Sequence, residues 1–419
     1  MPSRAAVLAA LAAGGLAIAQ ARSNCPPLPI LDASELQALV DSAAPRSTLV
    51  LPRGEYRGRL RVAKPLTLRA GAGTTLVFRQ DGEPAAGELR AAGSALTIAS
   101  DEVLVSGLAV RGSGGDAGAL DAGIYLHGRG IRLEACAVGG ALFGIWLDGC
   151  AEAAILSCRV RGDARAPFAS RGDGIRVTGG SDCLIEGGDI SFVCDGVYLD
   201  GTARPRVRDL RISEGRYGVH VMYGCGAVIE GLDAKGLVVG AMVMGTRQAT
   251  LEGNRVSSGR DARSAGISLF ESKSCSVDGN EITGSATGIG LDGARSCSVR
   301  GNTVMGNARG VFVEGASPGT VVQGNRFLDN ALQVGGIGDL GSLKWTEGGR
   351  GNFWDDFRGY DLDGDGVGDS PYRRTRGYSA LAAREPLLGA FFGSPLQVFG
   401  AALDPEAEIV DRKPLERAR

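Results

Sequence analysis

At 419 residues and a formal net charge of −2, the chain carries no basic excess of the kind that grips nucleic acid. Its 67 glycines and 5% aromatic content argue against two or three ordinary domains. They fit many short strands joined by tight turns, an arrangement that a solenoid extends as one domain because each repeat packs only on its neighbours.

The first 21 residues read as an export signal. Arg4 supplies the leading charge, an apolar run extends from Ala5 to Ala19, and Ala19-Gln20-Ala21 forms an A-x-A cleavage site. Cys25 follows Arg22-Ser23-Asn24, which is not a lipoprotein signal. No later segment reaches the roughly 18 apolar residues of a membrane span. Residues 22–46 then form an N-terminal cap. Leu31 to Ala44 is amphipathic at helical spacing, with Asp32 or Ser34 as its N-cap.

Residues 47–340 carry a repeat. Gly-apolar-x-apolar recurs at Gly123, Gly144, Gly174, Gly196, Gly218, Gly240, Gly266, Gly288 and Gly310, mostly 22 residues apart. Two longer gaps mark insertions, near Ala164–Ser170 and Gly259–Ser264. Gly-Asn recurs at Asn254, Asn280, Asn302 and Asn325. Stacked Asn side chains can bond along the solenoid axis, and Asn tolerates a left-handed turn position. Three short strands per coil predict an all-β, right-handed parallel β-helix with short capping helices. Leucine-rich and helical repeats fail on consensus and on length.

Nine cysteines in an exported chain leave disulfides possible. Cys136 and Cys158, and Cys275 and Cys297, stand one coil apart, close enough to bond. Buried free thiols are the equal alternative.

The strand Gly174–Val177 sets the phase, with Ile175 and Val177 inward and Arg176 outward. Carried through every coil, this register gives two outward columns. One is Tyr125, Trp146, Arg176, Tyr198, His220, Met242, Ser268, Gly290 and Phe312. The other is His127, Asp148, Thr178, Asp200, Met222, Met244, Phe270, Asp292 and Glu314. His220, Met222, Met242 and Met244 thereby form a two-by-two square. Thioethers and imidazole suit Cu(I), and flexible Met side chains can close on an ion. The blander reading is an apolar patch beneath a loop or partner. His127 lies several coils away and cannot join the square.

Asp173 and Asp195 precede equivalent strands one coil apart. A retaining glycosidase uses two carboxyls at roughly 5 Å, so a polysaccharide-active enzyme is a rival reading. Against it, both stand in Gly-bounded turns, and no His or Lys cluster is expected beside them. A passive protein-binding scaffold is a third reading.

Residues 341–419 break the repeat and form a C-terminal cap or docking segment. Asp361, Asp363, Asp365, Gly366 and Asp369 follow D-x-D-x-D-G-x-x-D, like the ligand positions of a Ca²⁺ loop, although Tyr372 replaces the acidic residue expected at position 12. Apolar clusters between Ser379 and Leu403 are interrupted by Pro386 and Pro395. They would cap the solenoid or dock on a membrane partner.

The blocks WTEGGRGNFWDDF and YDLDGDGVGDSPY, with YGVHVMY at 217–223 and PLLGAFFGSPLQVF at 386–399, resemble the NosD family of periplasmic β-helix proteins. The resemblance implies a non-enzymatic, periplasmic accessory role in maturing nitrous-oxide reductase. It implies an ABC transporter, a copper chaperone and the reductase as partners, with copper or sulfur as cargo. His220, Met222 and Met244 fall on matching positions. Met242 departs from the family pattern, so its place in the square rests on register alone. The many cysteines are atypical of the family.

Overall fold

The structure is a computed structural model that describes residues 29–78, 93–113, 115, 121–259, 261–375 and 408–416. The export signal and the 386–399 block lie outside the described residues. The chain forms a parallel β-helix. Its clearest face is a twelve-stranded sheet, every neighbouring pair in it parallel, to which each coil contributes one strand. The rest of most coils is two shorter strands separated by a corner, which Ala154–Arg161 and Leu184–Ser191 replace by one eight-residue strand. In one coil, Tyr217–Met222 is followed by Val228–Glu230 and Asp233–Lys235.

Glycine and alternation explain this geometry together. Ile and Val alternate inward and stack coil on coil into one continuous core. The Gly that opens each long strand is demanded by close approach. A Cβ on Gly240 would lie 2.2 Å from Val256 Cγ1, across the core of the same coil, and 2.7 Å from the Gly266 carbonyl oxygen of the next, so a side chain there would clash with both.

The helix Ala33–Ser42 sits at the N-terminal end and buries Ala33, Leu36 and Val40. Asp32 is its N-cap, accepting from the Ser34 N–H at 2.8 Å. Ser34 lies inside the helix.

The Asn ladder bonds along the axis and is longer than the sequence reading allowed. Asn254, Asn280, Asn302 and Asn325 each donate backbone N–H and side-chain N–H to the Oδ1 of the next rung, at 2.8–3.1 Å. The fifth rung is Asn352, and Asp411 closes the series by accepting from the Asn352 N–H at 2.7 Å. The left-handed conformation belongs to the residue before each of the first four rungs, as at Gly253 with φ 61°. The Asn side chains point inward and are buried, which corrects the expectation that Asn itself occupies the turn position.

Asp411 also takes the Trp354 indole N–H at 3.0 Å. Trp354 is stacked between Phe327 and Tyr372, with centroids 4.6 and 4.5 Å away. Strand Tyr372–Thr375 pairs antiparallel with Glu408–Asp411. This aromatic stack covers the last coils, where the open sheet edge would otherwise face solvent.

The stacked cysteines Cys136 with Cys158, and Cys275 with Cys297, are free buried thiols, the second of the two alternatives.

Candidate functional site

Both outward columns hold their register across the sheet. His220 pairs with Met242 and Met222 with Met244. The next coil carries the insertion and keeps phase, pairing Met242 with Ser268 and Met244 with Phe270. The insertion closes on itself at its base: Ser258 Oγ donates to the Ala265 carbonyl at 3.0 Å, and Asp261 accepts from the Arg263 N–H at 2.8 Å. The extra residues leave the coil as a loop without shifting the strand. That loop walls a groove of about 430 Å³ whose floor includes Met242, Met244, Phe270 and Phe312.

The four residues of the square differ in depth. Met222, Met242 and Met244 are half-buried, whereas His220 is only 5% exposed. His220 is on the outward side of the sheet, but Tyr198 and Tyr217 pack edge-on against its ring, with centroids 5.0 and 4.8 Å away. Its Nε2 lies 3.4 Å from Met244 Sδ. Met222 Sδ lies 3.1 Å from the Tyr198 hydroxyl, which donates to it. The square exists in register, and His220 and Met244 touch across its diagonal.

Beneath the imidazole is a group that the sequence reading assigned elsewhere. Asp195 Oδ2 lies 2.9 Å from His220 Nδ1. The same carboxylate receives Arg216 through Nε and Nη2, both at 2.8 Å. Asp195 is 0% exposed. Burial opposes its charge, yet the bonds from His220 and Arg216 outweigh burial and hold its carboxyl below the usual range. Arg216 is correspondingly held above its ordinary value, chiefly by its bond to Asp195.

Asp173 and Asp195 do come together. With Cys194 they offer ligand atoms within 4.8 Å of one another. Asp173 bonds Arg176 at 2.7 Å, and Arg176 stacks between Trp146 and Tyr198. Burial, with Asp195 beside it, pushes the Asp173 carboxyl upward. The expectation that no His stands near this pair is corrected, because His220 reaches Asp195 diagonally across two coils. The Cys194 thiol is pushed up to about 11, first by burial and then by Asp195, so it keeps its proton in the metal-free protein.

His127 is exposed, and its Nδ1 lies 2.8 Å from the Asp148 carbonyl, away from this cluster. In the acidic turn, Asp361, Asp363 and Asp369 bring carboxylate oxygens within 4.8 Å of one another. Asp365 turns away and accepts from the Val367 N–H at 2.7 Å.

Sequence reasoning stood Tyr198 beside the histidine but missed Asp195, Arg216 and Tyr217 as its neighbours. Coil spacing already placed Asp195 opposite Tyr217 and Tyr198 opposite His220. The diagonal from His220 to Asp195 runs three positions along the strand, and column reading alone does not reach it.

Comparison with known proteins gives both family and fold. The family described as "Periplasmic copper-binding protein (NosD)" matches residues 153–359, a span that holds the His–Met cluster. The chain is 30% identical over 361 residues to the probable ABC transporter binding protein NosD of Pseudomonas aeruginosa, covering 82% of this chain and 81% of that one. It is 29% identical to the protein of the same description from Stutzerimonas stutzeri, over 30% of this chain and 27% of that one. Among solved structures, the A-module of a mannuronan C-5 epimerase from Azotobacter vinelandii superposes with TM-score 0.55 at 17% identity, over 72% of this chain and 91% of the module. A family 28 exopolygalacturonase from Yersinia enterocolitica does so with TM-score 0.53 at 12% identity, over 75% of each chain. At these identities the likeness establishes the parallel β-helix fold alone.

Proposed function

The chain belongs to the NosD family, and on that premise we propose that it carries Cu(I) as cargo in the periplasm during maturation of nitrous-oxide reductase. The observation that carries this reading is the approach of His220 Nε2 to Met244 Sδ, 3.4 Å apart on adjacent coils. Metal–nitrogen and metal–sulfur bonds are about 2.0 and 2.3 Å in zinc sites, so one ion can bridge donors at that separation with a bent geometry. Met242 and Met222 stand at the neighbouring register positions and supply further thioethers within a rotamer change. An imidazole among thioethers, half-sheltered from water, is a donor set for a soft monovalent ion. It favours copper over sulfur as cargo.

An ABC transporter is the membrane partner in this reading, in keeping with the description of the relatives as transporter binding proteins. A copper chaperone delivers the ion and the reductase receives it. The domain plan in this reading is an export signal over 1–21, a cap over 22–46, the solenoid over 47–340 and a C-terminal cap or docking segment over 341–419. A Ca²⁺ ion bound by Asp361, Asp363 and Asp369 would rigidify the turn beside the C-terminal stack. Convergence of these three carboxylates favours that role, with Asp365 contributing none of its own.

The polysaccharide-enzyme reading is weakened by access. Asp173 and Asp195 are 5% and 0% exposed, and each is neutralised by an arginine. An acid and a nucleophile must both reach a glycosidic bond. The test of the copper reading is an anaerobic titration with Cu(I) against a chromophoric chelator, comparing wild type with His220→Ala and Met244→Ala. Tight binding of one equivalent that is lost in both variants supports it. Equal binding by all three proteins sinks it.

A further inference from the structure

We infer that Asp195 is a positioning residue that fixes the protonation pattern and orientation of His220, so that Nε2 faces the thioether of Met244. The inference rests on the copper reading for its purpose but not for its geometry.

An ionised carboxylate only accepts hydrogen bonds. His220 Nδ1 lies 2.9 Å from Asp195 Oδ2, so the Nδ1 proton must be present to make that contact. Nε2 is then the atom left toward Met244. The carboxylate cannot swing away, because Arg216 grips it through two nitrogens, both at 2.8 Å. A third bond links the coils, from the Asp195 backbone N–H to Asp173 Oδ1 at 3.3 Å. Tyr198 and Tyr217 hold the ring edge-on from either side, which restricts its rotation. A surface histidine would sample several rotamers and both tautomers. This one has a single arrangement, with the imidazole held between a buried anion and a soft donor. Metal-bound histidines are oriented in the same manner, through the ring nitrogen that does not touch the metal.

Asparagine at 195 is nearly isosteric but offers one acceptor oxygen where aspartate offers two. Arg216 and His220 together present three donors, so the amide NH₂ must face one of them. The constraint on Nδ1 is lost or shared with the other tautomer.

The decisive measurement uses the whole protein labelled with ¹⁵N-histidine. The chain has two histidines, so the spectrum assigns itself with a single His127→Gln control. In long-range ¹⁵N–¹H correlation spectra of the wild type, Nδ1 of His220 is protonated, and added Cu(I) perturbs Nε2 while Nδ1 keeps its proton. Asp195→Asn gives a mixed or reversed tautomer, and Cu(I) affinity falls by roughly 10–100-fold. A wild-type His220 with its only proton on Nε2 overturns the inference, even if Asp195→Asn fails to fold. Asp195→Asn with an unchanged tautomer and unchanged affinity overturns it as well. Wild type that binds no Cu(I) but shows the protonated Nδ1 overturns the copper reading and leaves the positioning geometry intact.

Discussion

Two of the polar columns along this solenoid, one inside and one outside, differ sharply in what they bond to. Inside, Asn254 through Asn352 to Asp411 form a closed series. Every rung gives its amide hydrogens to the next rung and to a carbonyl, and the last rung ends on a carboxylate. Outside, the column through Tyr198, His220 and Met242 is heterogeneous. Its polar atoms bond diagonally to Asp195, Met222 and Met244, not to copies of themselves. The inner column spends all its hydrogen-bonding capacity on the fold. The outer face, taking in Met222 and Met244 of the neighbouring column, keeps soft donors, a nitrogen and three thioethers, near the surface. A parallel β-helix thus separates stability from ligand chemistry by the face on which a column stands.

The sharpest way to break this contrast is to remove an inner rung. Asn302→Leu strips acceptors from the Asn280 N–H and side-chain N–H and donors from two carbonyls. Each orphaned buried group costs about 1–3 kcal/mol, so a loss of roughly 3 kcal/mol or more is expected in urea unfolding. Cu(I) affinity should be unchanged. Asp411→Ala comes next, at about 2–4 kcal/mol, because Asn352 and Trp354 both lose a buried acceptor. Limited proteolysis should then open the C-terminal coils before the rest.

On the outer column the order reverses, with small changes in stability and large ones in binding. Met244→Ala should weaken Cu(I) more than Met222→Ala, since Met222 Sδ already takes a bond from Tyr198 and must release it to bind. Competition titrations of the two variants check the ranking.

The two buried carboxyls supply a test of sign. Asp195, with a depressed pKa, stabilises above the ordinary carboxylate range, and that stability is lost as pH falls through its folded value. Asp173, with a raised pKa, contributes stability present below the ordinary value and lost as pH rises through its folded value. Asp173→Asn should therefore leave neutral-pH stability unchanged or raise it by about 1 kcal/mol, because it removes a charge that burial and Asp195 oppose. Unfolding free energies of wild type and variant between pH 3 and 7, roughly the window in which carboxyls titrate, check this.

The smallest effect is at the acidic turn. If Ca²⁺ binds there, it raises the thermal midpoint by a few degrees, roughly 1 kcal/mol or less for a weak site, and Asp361→Asn abolishes the rise.

The fold was legible because strand alternation and the 22-residue period are both written in small and branched residues. Once Arg176 was set outward, every pairing from Tyr125 to Phe312 followed. What period-two reasoning gives is side, not depth. It put His220 outward without showing that Tyr198 and Tyr217 bury it. It treated Asp195 as a turn residue or a glycosidase carboxyl, because its role comes from a diagonal contact and from Arg216 at a coil corner. The ladder rung Asn352 was hidden because its Gly-Asn pair lies within the block that looked like a terminal signature. Its terminator Asp411 stands 59 residues further on.

The central claim is that the outer column holds one Cu(I) between His220 and Met244. Anaerobic competition titration of wild type against His220→Ala/Met244→Ala tests it most directly. The account predicts one tightly held equivalent in the wild type and none in the double variant, measured where urea unfolding shows both proteins to be folded. A wild type that binds no Cu(I), or a double variant that binds it as tightly, contradicts the account.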